Sequence, residues 1–159
     1  MSLTLNLKFD GRPGSLGVKK AVLAKLPDSE KVLDAAQAVV LNRVRTRFRK
    51  TQNPDGSLWP ESRSAKIRKA GGFTVSNGKK VTGGDTLFAT GTLFHSLHAY
   101  KKGEGIRAIT FDQTRAPYGI KHQLGQDGMP VRQFIGLGPD DPDAVQAVIN
   151  RRINALFKG

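Results

Sequence analysis

The stretch DSEKVLDAAQAVVLNRVRTRFRK, residues 28–50, decides the architecture. Leu33, Ala36, Val40, Val44 and Phe48 recur at spacings of three and four, the period of one helical face. Val32, Val39 and Leu41 widen that stripe, so the helix must be covered on more than one side. Asp28 is placed to cap its N-terminus, and Glu30 lies in the first turn, where the backbone dipole favours negative charge. Arg43, Arg45, Arg47, Arg49 and Lys50 crowd the last turns, where the dipole favours positive charge. Asn53-Pro54-Asp55-Gly56 then stops the helix with a turn.

Toward the N-terminus, Ser2–Phe9 sets Leu3, Leu5, Leu7 and Phe9 against Thr4, Asn6 and Lys8, the alternation of a half-buried strand. Gly11, Pro13, Gly14 and Gly17 punctuate a loop, and Val18–Leu26 reads as a short helix ended by Pro27, so residues 1–27 form an N-terminal strand and linker. Toward the C-terminus, Glu61–Ala70 predicts a short basic helix. Residues 71–84 predict a projecting hairpin around Asn77-Gly78. A two-residue turn there sets Phe73 opposite Thr82 and Val75 opposite Lys80, leaving neither face strongly apolar. An isolated hairpin is marginal in water, so this one either adds to a sheet edge of a neighbouring subunit or remains an ordinary loop.

Thr86–Leu97 reads equally well as helix or strand. Leu97–Lys102 and Ile106–Asp112 flank Gly103-Glu104-Gly105 as an antiparallel pair. Pro117 opens a short helix at its first position, running through Tyr118, His122 and Leu124 to Gly125. Val131–Leu137 reads as a short strand, and Asp140, Asp141 and Asp143 start a last helix on Val145, Val148, Ile149, Ile153, Leu156 and Phe157. Without regular βαβ alternation the class is α+β: one domain over residues 1–159, with a long helix in its N-terminal half packed on a small, mainly antiparallel sheet, and a C-terminal helix.

The chain has no cysteine, which excludes disulfides and thiolate metal sites. It has no apolar run near the ~18 residues of a membrane helix and no signal-peptide pattern, so synthesis in the cytoplasm and no membrane partner are expected. A net charge of +13 predicts affinity for polyanions. Nine of the cations lie between Arg43 and Lys69. Three roles suit them: a solvated helix end, contact with nucleic acid, or a subunit interface in which they meet acidic groups of neighbours.

Signals for chemistry are weak. His95 and His98 are three apart and could share a helical face, but no acidic third ligand stands beside them. Ser96 lacks a Gly-x-Ser-x-Gly elbow, and the glycine pairs at 71–72 and 83–84 lack the ending of a phosphate loop. Ten Asp and three Glu offer no cluster of the kind a metal-dependent nuclease needs. The expectation is a protein without cofactor, metal or catalytic residues, and the rival reading is a sequence-independent DNA-binding or packaging accessory protein.

Four segments carry a resemblance. Thr90-Gly91-Thr92-Leu93-Phe94-His95-Ser96-Leu97 is similar to the Thr-Gly-x-Leu-x-x-Ser-hydrophobic element of the phage virion morphogenesis, or tail completion, family of Mu-like phages. Tyr118-Gly119-Ile120-Lys121-His122-Gln123-Leu124-Gly125 resembles its Tyr-Ala-x-x-His-Gln-Phe-Gly, with Gly119 and Leu124 as departures. Pro130-Val131-Arg132-Gln133-Phe134-Ile135-Gly136-Leu137 resembles its Pro-x-Arg-x-Phe-hydrophobic-Gly-Leu, with Gln133 where Pro is frequent. Phe48 through Pro54-Asp55-Gly56 to Trp59 resembles its helix, Pro-Asp-Gly, Trp segment.

The resemblance implies a structural subunit that completes the tail or joins head to tail at the neck. It implies a homo-oligomeric ring, sixfold by analogy, around the DNA channel, with tail-tube and neck or connector proteins as partners and the virion as location. Ring subunits need two different complementary surfaces, and a basic middle with an acidic helix start at Asp140–Asp143 suits that layout. Structural or interface roles are expected for Trp59, Thr90, Gly91, Leu93, Ser96, Tyr118, His122, Gln123, Gly125, Arg132, Phe134 and Gly136. Trp59 should pack back over the long helix. Gly91 should permit a tight passage from helix to strand, and Tyr118, His122 and Gln123 should fix their helix through hydrogen bonds to backbone. Arg132 should pair with an acidic group in the domain or next door. Arg43, Arg45, Arg47, Arg49 and Lys50 are the candidates for contact with channel DNA, another polyanion or a neighbouring subunit.

Overall fold

The computed structural model describes residues 4–8, 29–75, 78–103 and 106–156, with the backbone alone for 4–8 and for Leu156. The predicted helix over Val18–Leu26, the Asp28 cap, Asn77, Glu104-Gly105 and Phe157 lie outside the described residues, as do the side chains of the Ser2–Phe9 alternation.

The long helix α1 spans Ser29–Arg49. Its predicted stripe is the core: Leu33, Ala36, Val40, Val44 and Phe48 are all buried, together with Val32. Full burial of side chains such as Leu33, Val40 and Phe48 contributes about 1.5–3 kcal/mol each. On one side α1 faces a three-stranded antiparallel sheet of order β1-β5-β4, built from β1 (Thr4–Lys8), β4 (Leu97–Gly103) and β5 (Ile106–Phe111). β1 pairs with β5 from Thr4↔Thr110 to Lys8↔Ile106, and β4 pairs with β5 from Leu97↔Phe111, with an irregularity between Lys101 and Gly103. Leu97, Ile109 and Phe111 join the α1 stripe in one cluster, and Ala99 packs against it. On its other side α1 receives the C-terminal helix α5 (Asp141–Leu156) through Val145 and Ile149. The fold is α+β, as the sequence reading expects.

Two polar side chains lock α1 to the sheet. Gln37 interrupts the apolar face and is buried, because its amide donates to the carbonyls of Tyr100 at 3.0 Å and Ala108 at 2.9 Å. Arg107 is 1% exposed in the central strand, and its guanidinium reaches Glu30 at 2.8 Å and Asp34 at 2.7 Å on the first turns of α1.

The remaining elements are short. α2 (Arg63–Lys69) starts at Ser62, whose hydroxyl accepts the amide of Ala65. A separate hairpin follows, β2 (Phe73–Thr74) with β3 (Lys80–Val81). Its register is Phe73↔Val81 and Thr74↔Lys80, one residue away from the pairing a two-residue turn would give. The amides of Val75 and Gly78 bond to the carbonyls of Lys79 and Val75, and Gly78 takes φ +78°, so the strands part at Val75 and Lys79 with a left-handed glycine before Lys79. The ambiguous stretch Thr86–Leu97 resolves into the short helix α3 (Thr92–Ser96), which runs straight into β4. α4 (Tyr118–Leu124) ends on Gly125 in the left-handed region, and a single 3-10 turn, Gln126–Gly128, follows.

Val131–Leu137 is not a strand. Its alternation is real, since Arg132 and Phe134 are buried while Val131 and Gln133 are exposed, but its backbone bonds go to α4, Asn53, Trp59 and Arg47 and not to a sheet. The amide of Arg132 bonds to the carbonyl of His122, and those of Phe134 and Ile135 bond to the side chain of Gln123.

Candidate functional site

The four motif segments meet around the C-terminal end of α1. Phe48 stands at their centre, with its ring 5.2 Å from Trp59, 5.6 Å from Phe94 and 5.7 Å from Phe134, mostly edge to face. Phe111 extends the cluster by packing 5.4 Å from Phe134. Such pairs add about 0.5–1.5 kcal/mol each beyond burial. Trp59 folds back over the helix as expected, and its indole N–H donates to the carbonyl of Gln133 at 3.3 Å.

The Pro-Asp-Gly turn is a joint between segments. Asp55 accepts the amide and hydroxyl of Ser57, at 2.9 and 2.6 Å, and these bonds hold its carboxyl below the usual range. Asn53 accepts the amide of Gln133 at 2.9 Å. Pro54 lies so close to Gly136 that a Cβ there would sit 2.6 Å from the proline ring. That contact fixes the glycine of the third motif.

Gln123 is the strongest clamp. It is buried, its Oε1 accepts the amides of Phe134 and Ile135 at 2.9 and 3.0 Å, and its Nε2 donates to the carbonyl of Ile135 at 2.8 Å. One side-chain amide thus serves the segment as a neighbouring strand would. Gly119 departs from the family's alanine for a visible reason: a Cβ would lie 2.6 Å from the Phe111 ring and 2.8 Å from Leu93.

His122 and Arg132 form the polar flank of this clamp. Arg132 is 3% exposed, donates from Nε to the carbonyl of Pro60 at 2.9 Å, and places Nη1 3.2 Å from Nδ1 of His122. The acidic partner expected for Arg132 is replaced by a carbonyl and an imidazole, because the chain passing it is the Trp59-Pro60 segment. Burial, and then the Arg132 charge, push His122 below the ordinary imidazole value, so that it stays neutral and accepts. Tyr118 lies edge to face with His122 at 6.3 Å, and burial pushes its hydroxyl up.

Gly91 differs from the expected passage between helix and strand. It precedes α3 with φ +74°, and a Cβ would meet the His95 ring at 2.9 Å, so it serves the start of the helix. Thr90 is exposed, with its hydroxyl 2.7 Å from that of Thr92, whereas Leu93 is fully buried. Ser96 is buried and donates to the carbonyl of Leu93 at 2.8 Å. His95 belongs to α3 and His98 to β4, so they share no helical face.

The basic end of α1 is largely engaged within the chain. Arg43 and Arg47 both bind Asp141, the first residue of α5, whose carboxylate is fully buried; Arg47 reaches it at 2.8 Å and also donates to the carbonyl of Gly136. Arg45 donates to the carbonyl of Leu97 at 2.9 Å, and Arg49 stands 4.9 Å over the Phe94 ring. Lys50 is exposed. The basic middle and acidic helix start therefore meet inside one subunit at Asp141, while Asp140 and Asp143 remain exposed.

Sequence reasoning missed Gln37 and Arg107, and it took Asp141 as one of three acids at a helix start without singling it out. Gln37 had a signal, a polar residue inside an apolar stripe, and so did Arg107, a charge inside the apolar run Ile106–Phe111. Asp141 had none, since its neighbours Asp140 and Asp143 look identical.

The chain matches the phage virion morphogenesis family over residues 17–154. It is 29% identical over 156 residues to Mu-like prophage FluMu G protein 1 of Haemophilus influenzae, which covers 96% of this chain and 97% of that protein. No solved structure gives a significant match. The family match takes in every segment assembled around Phe48, and the chain belongs to the phage virion morphogenesis family, with a role in building a phage particle.

Proposed function

We propose that this protein is a structural subunit of tail completion or head–tail joining that works as a homo-oligomeric ring at the neck, around the DNA channel, without catalytic turnover. One observation carries this reading. Among the described residues, eight large apolar side chains are exposed, and four of them, Tyr118, Leu124, Val131 and Leu137, fall within the two motif segments that Gln123 clamps together. Scattered apolar side chains are ordinary on a surface, but a concentration on one rigid unit marks an interaction site. The occupant is a neighbouring subunit of the ring, which covers exposed side chains of this unit with a different surface of its own. The tail tube and connector proteins are the partners above and below.

The test is electron microscopy of lysates lacking the gene, joined to a mass measurement on the purified protein. Full heads beside unjoined or malformed tails, with a closed oligomer in solution or on particles, are expected. Normal infectious particles would overturn the assignment. Leu124→Ser with Val131→Ser should leave the fold intact and abolish the oligomer; an unchanged oligomer would move the interface elsewhere.

A further inference from the structure

We propose that α2 and its hairpin form a surface that binds the phosphate backbone of duplex DNA without regard to sequence. The arginines at the end of α1 are engaged within the chain, by Asp141, a carbonyl and a phenyl ring. Other described cations are matched as well: Lys101 and Arg107 with Glu30, and Lys121 with Asp127.

Arg63 and Lys66 are three apart on the exposed side of α2, opposite the buried Ala65 and Arg68, and Lys80 is exposed on β3. Among the described residues no carboxylate pairs with any of the three. The carboxylates nearest in sequence, Glu61 and Asp85, are both held by Lys69, at 2.9 and 3.3 Å.

These cations sit on one support. Arg68 is 3% exposed and turns its guanidinium inward, donating to the carbonyls of Gly83 at 2.8 Å and Asp85 at 2.7 Å. Its own carbonyl accepts the amide of Gly83, and that of Ile67 accepts the amide of Gly72. Both ends of the hairpin are thereby tied to α2, and the Lys80 strand keeps a fixed relation to Arg63 and Lys66.

The chemistry of the unit selects nucleic acid over protein. Protein interfaces have an apolar core and are poor in lysine, whereas this unit exposes only Ile67 and Phe73 as large apolar side chains. Surfaces that bind DNA are more polar and more positive, and simple phosphate neutralisation needs no base contact. The inference requires neither a ring nor a place at the neck.

The experiment is fluorescence anisotropy of a 25-bp labelled duplex (about two turns) with the full-length protein as salt is raised, since each phosphate contact contributes about 0.9 to the logarithmic salt slope. Wild type should bind at low salt with a steep slope. The variant Arg63→Gln/Lys66→Gln/Lys80→Gln should lose about 2–3 from that slope and at least tenfold in affinity at ~0.1 M salt. A control, Lys50→Gln/Arg151→Gln/Arg152→Gln, removes the same charge from other exposed positions and should change the slope by less than about 1. Circular dichroism should be native for both variants. Equal loss in the two variants would show that charge acts diffusely and would overturn the proposal. Tighter, patch-dependent binding of poly-glutamate than of DNA would overturn it in favour of an acidic protein partner.

Discussion

Replacing Asp141 by alanine should destabilise the protein far beyond an ordinary surface change. The carboxylate is fully buried at the start of α5, where it accepts bonds from Arg43, Arg47 and the amide of Gly138. Arg47 is 12% exposed at its side chain, so removing its acid leaves a nearly buried charge unpaired, which typically costs about 3–5 kcal/mol. Arg43 is 36% exposed, and water screens its share to below about 1 kcal/mol. The expected loss is thus about 4 kcal/mol, or a melting temperature lower by about 8–16 °C for a chain of this size. Urea and thermal unfolding followed by circular dichroism measure it. The double variant Arg47→Met/Asp141→Leu removes both ions together and should recover at least half of the loss, because the pair as a whole contributes little net stability. A single variant within about 1 kcal/mol of wild type, or a double variant worse than the single, would refute the account of α1 and α5 as stapled by this pair.

Gln123→Ala should cost about 2–4 kcal/mol, because it strands two buried amides and a carbonyl of Phe134 and Ile135; urea unfolding checks it. His122 has a folded-state value pushed down from its ordinary one, so the unfolded chain binds the proton more readily. Stability from this group is complete above about pH 6.5 and falls as pH drops toward the depressed value. His122→Gln, which can still accept from Arg132, should flatten the loss of melting temperature between about pH 7 and pH 5 relative to wild type. Replacing Phe73–Thr82 by a short Gly-Ser linker should leave the circular dichroism of the rest unchanged and weaken duplex DNA binding, because it removes Lys80; fluorescence anisotropy reads it.

The helices were legible in the sequence wherever one period dominated. Leu33, Ala36, Val40, Val44 and Phe48 announce α1 and its core face because a helical stripe is a local property. The β4–β5 pair was legible because Ile106–Asp112, a run rich in β-branched and aromatic residues, follows Leu97–Lys102 closely in sequence. Val131–Leu137 was misread because its alternation is that of a strand while its hydrogen bonds come from the side chain of Gln123, which no local pattern reveals. The hairpin register was off by one because the amide of Val75 bonds to the carbonyl of Lys79, a pairing that a two-residue turn at Asn77-Gly78 does not give. Within the site, Trp59 was placed by its turn. The fates of Arg43, Arg47 and Arg132 depended on Asp141 and Pro60, distant in sequence, and their own neighbourhoods could not supply them.

The staple between α1 and α5 also bears on how the chain is made. Arg43 and Asp141 are 98 positions apart, so at about 5–20 residues per second the ribosome delivers α5 roughly 5–20 s after the end of α1. Through that interval Val40 and Val44 have no Val145 or Ile149 to cover them. The nascent protein carries an apolar helix face bordered by arginines whose buried acid has not yet been made, and both are covered only when the final helix docks.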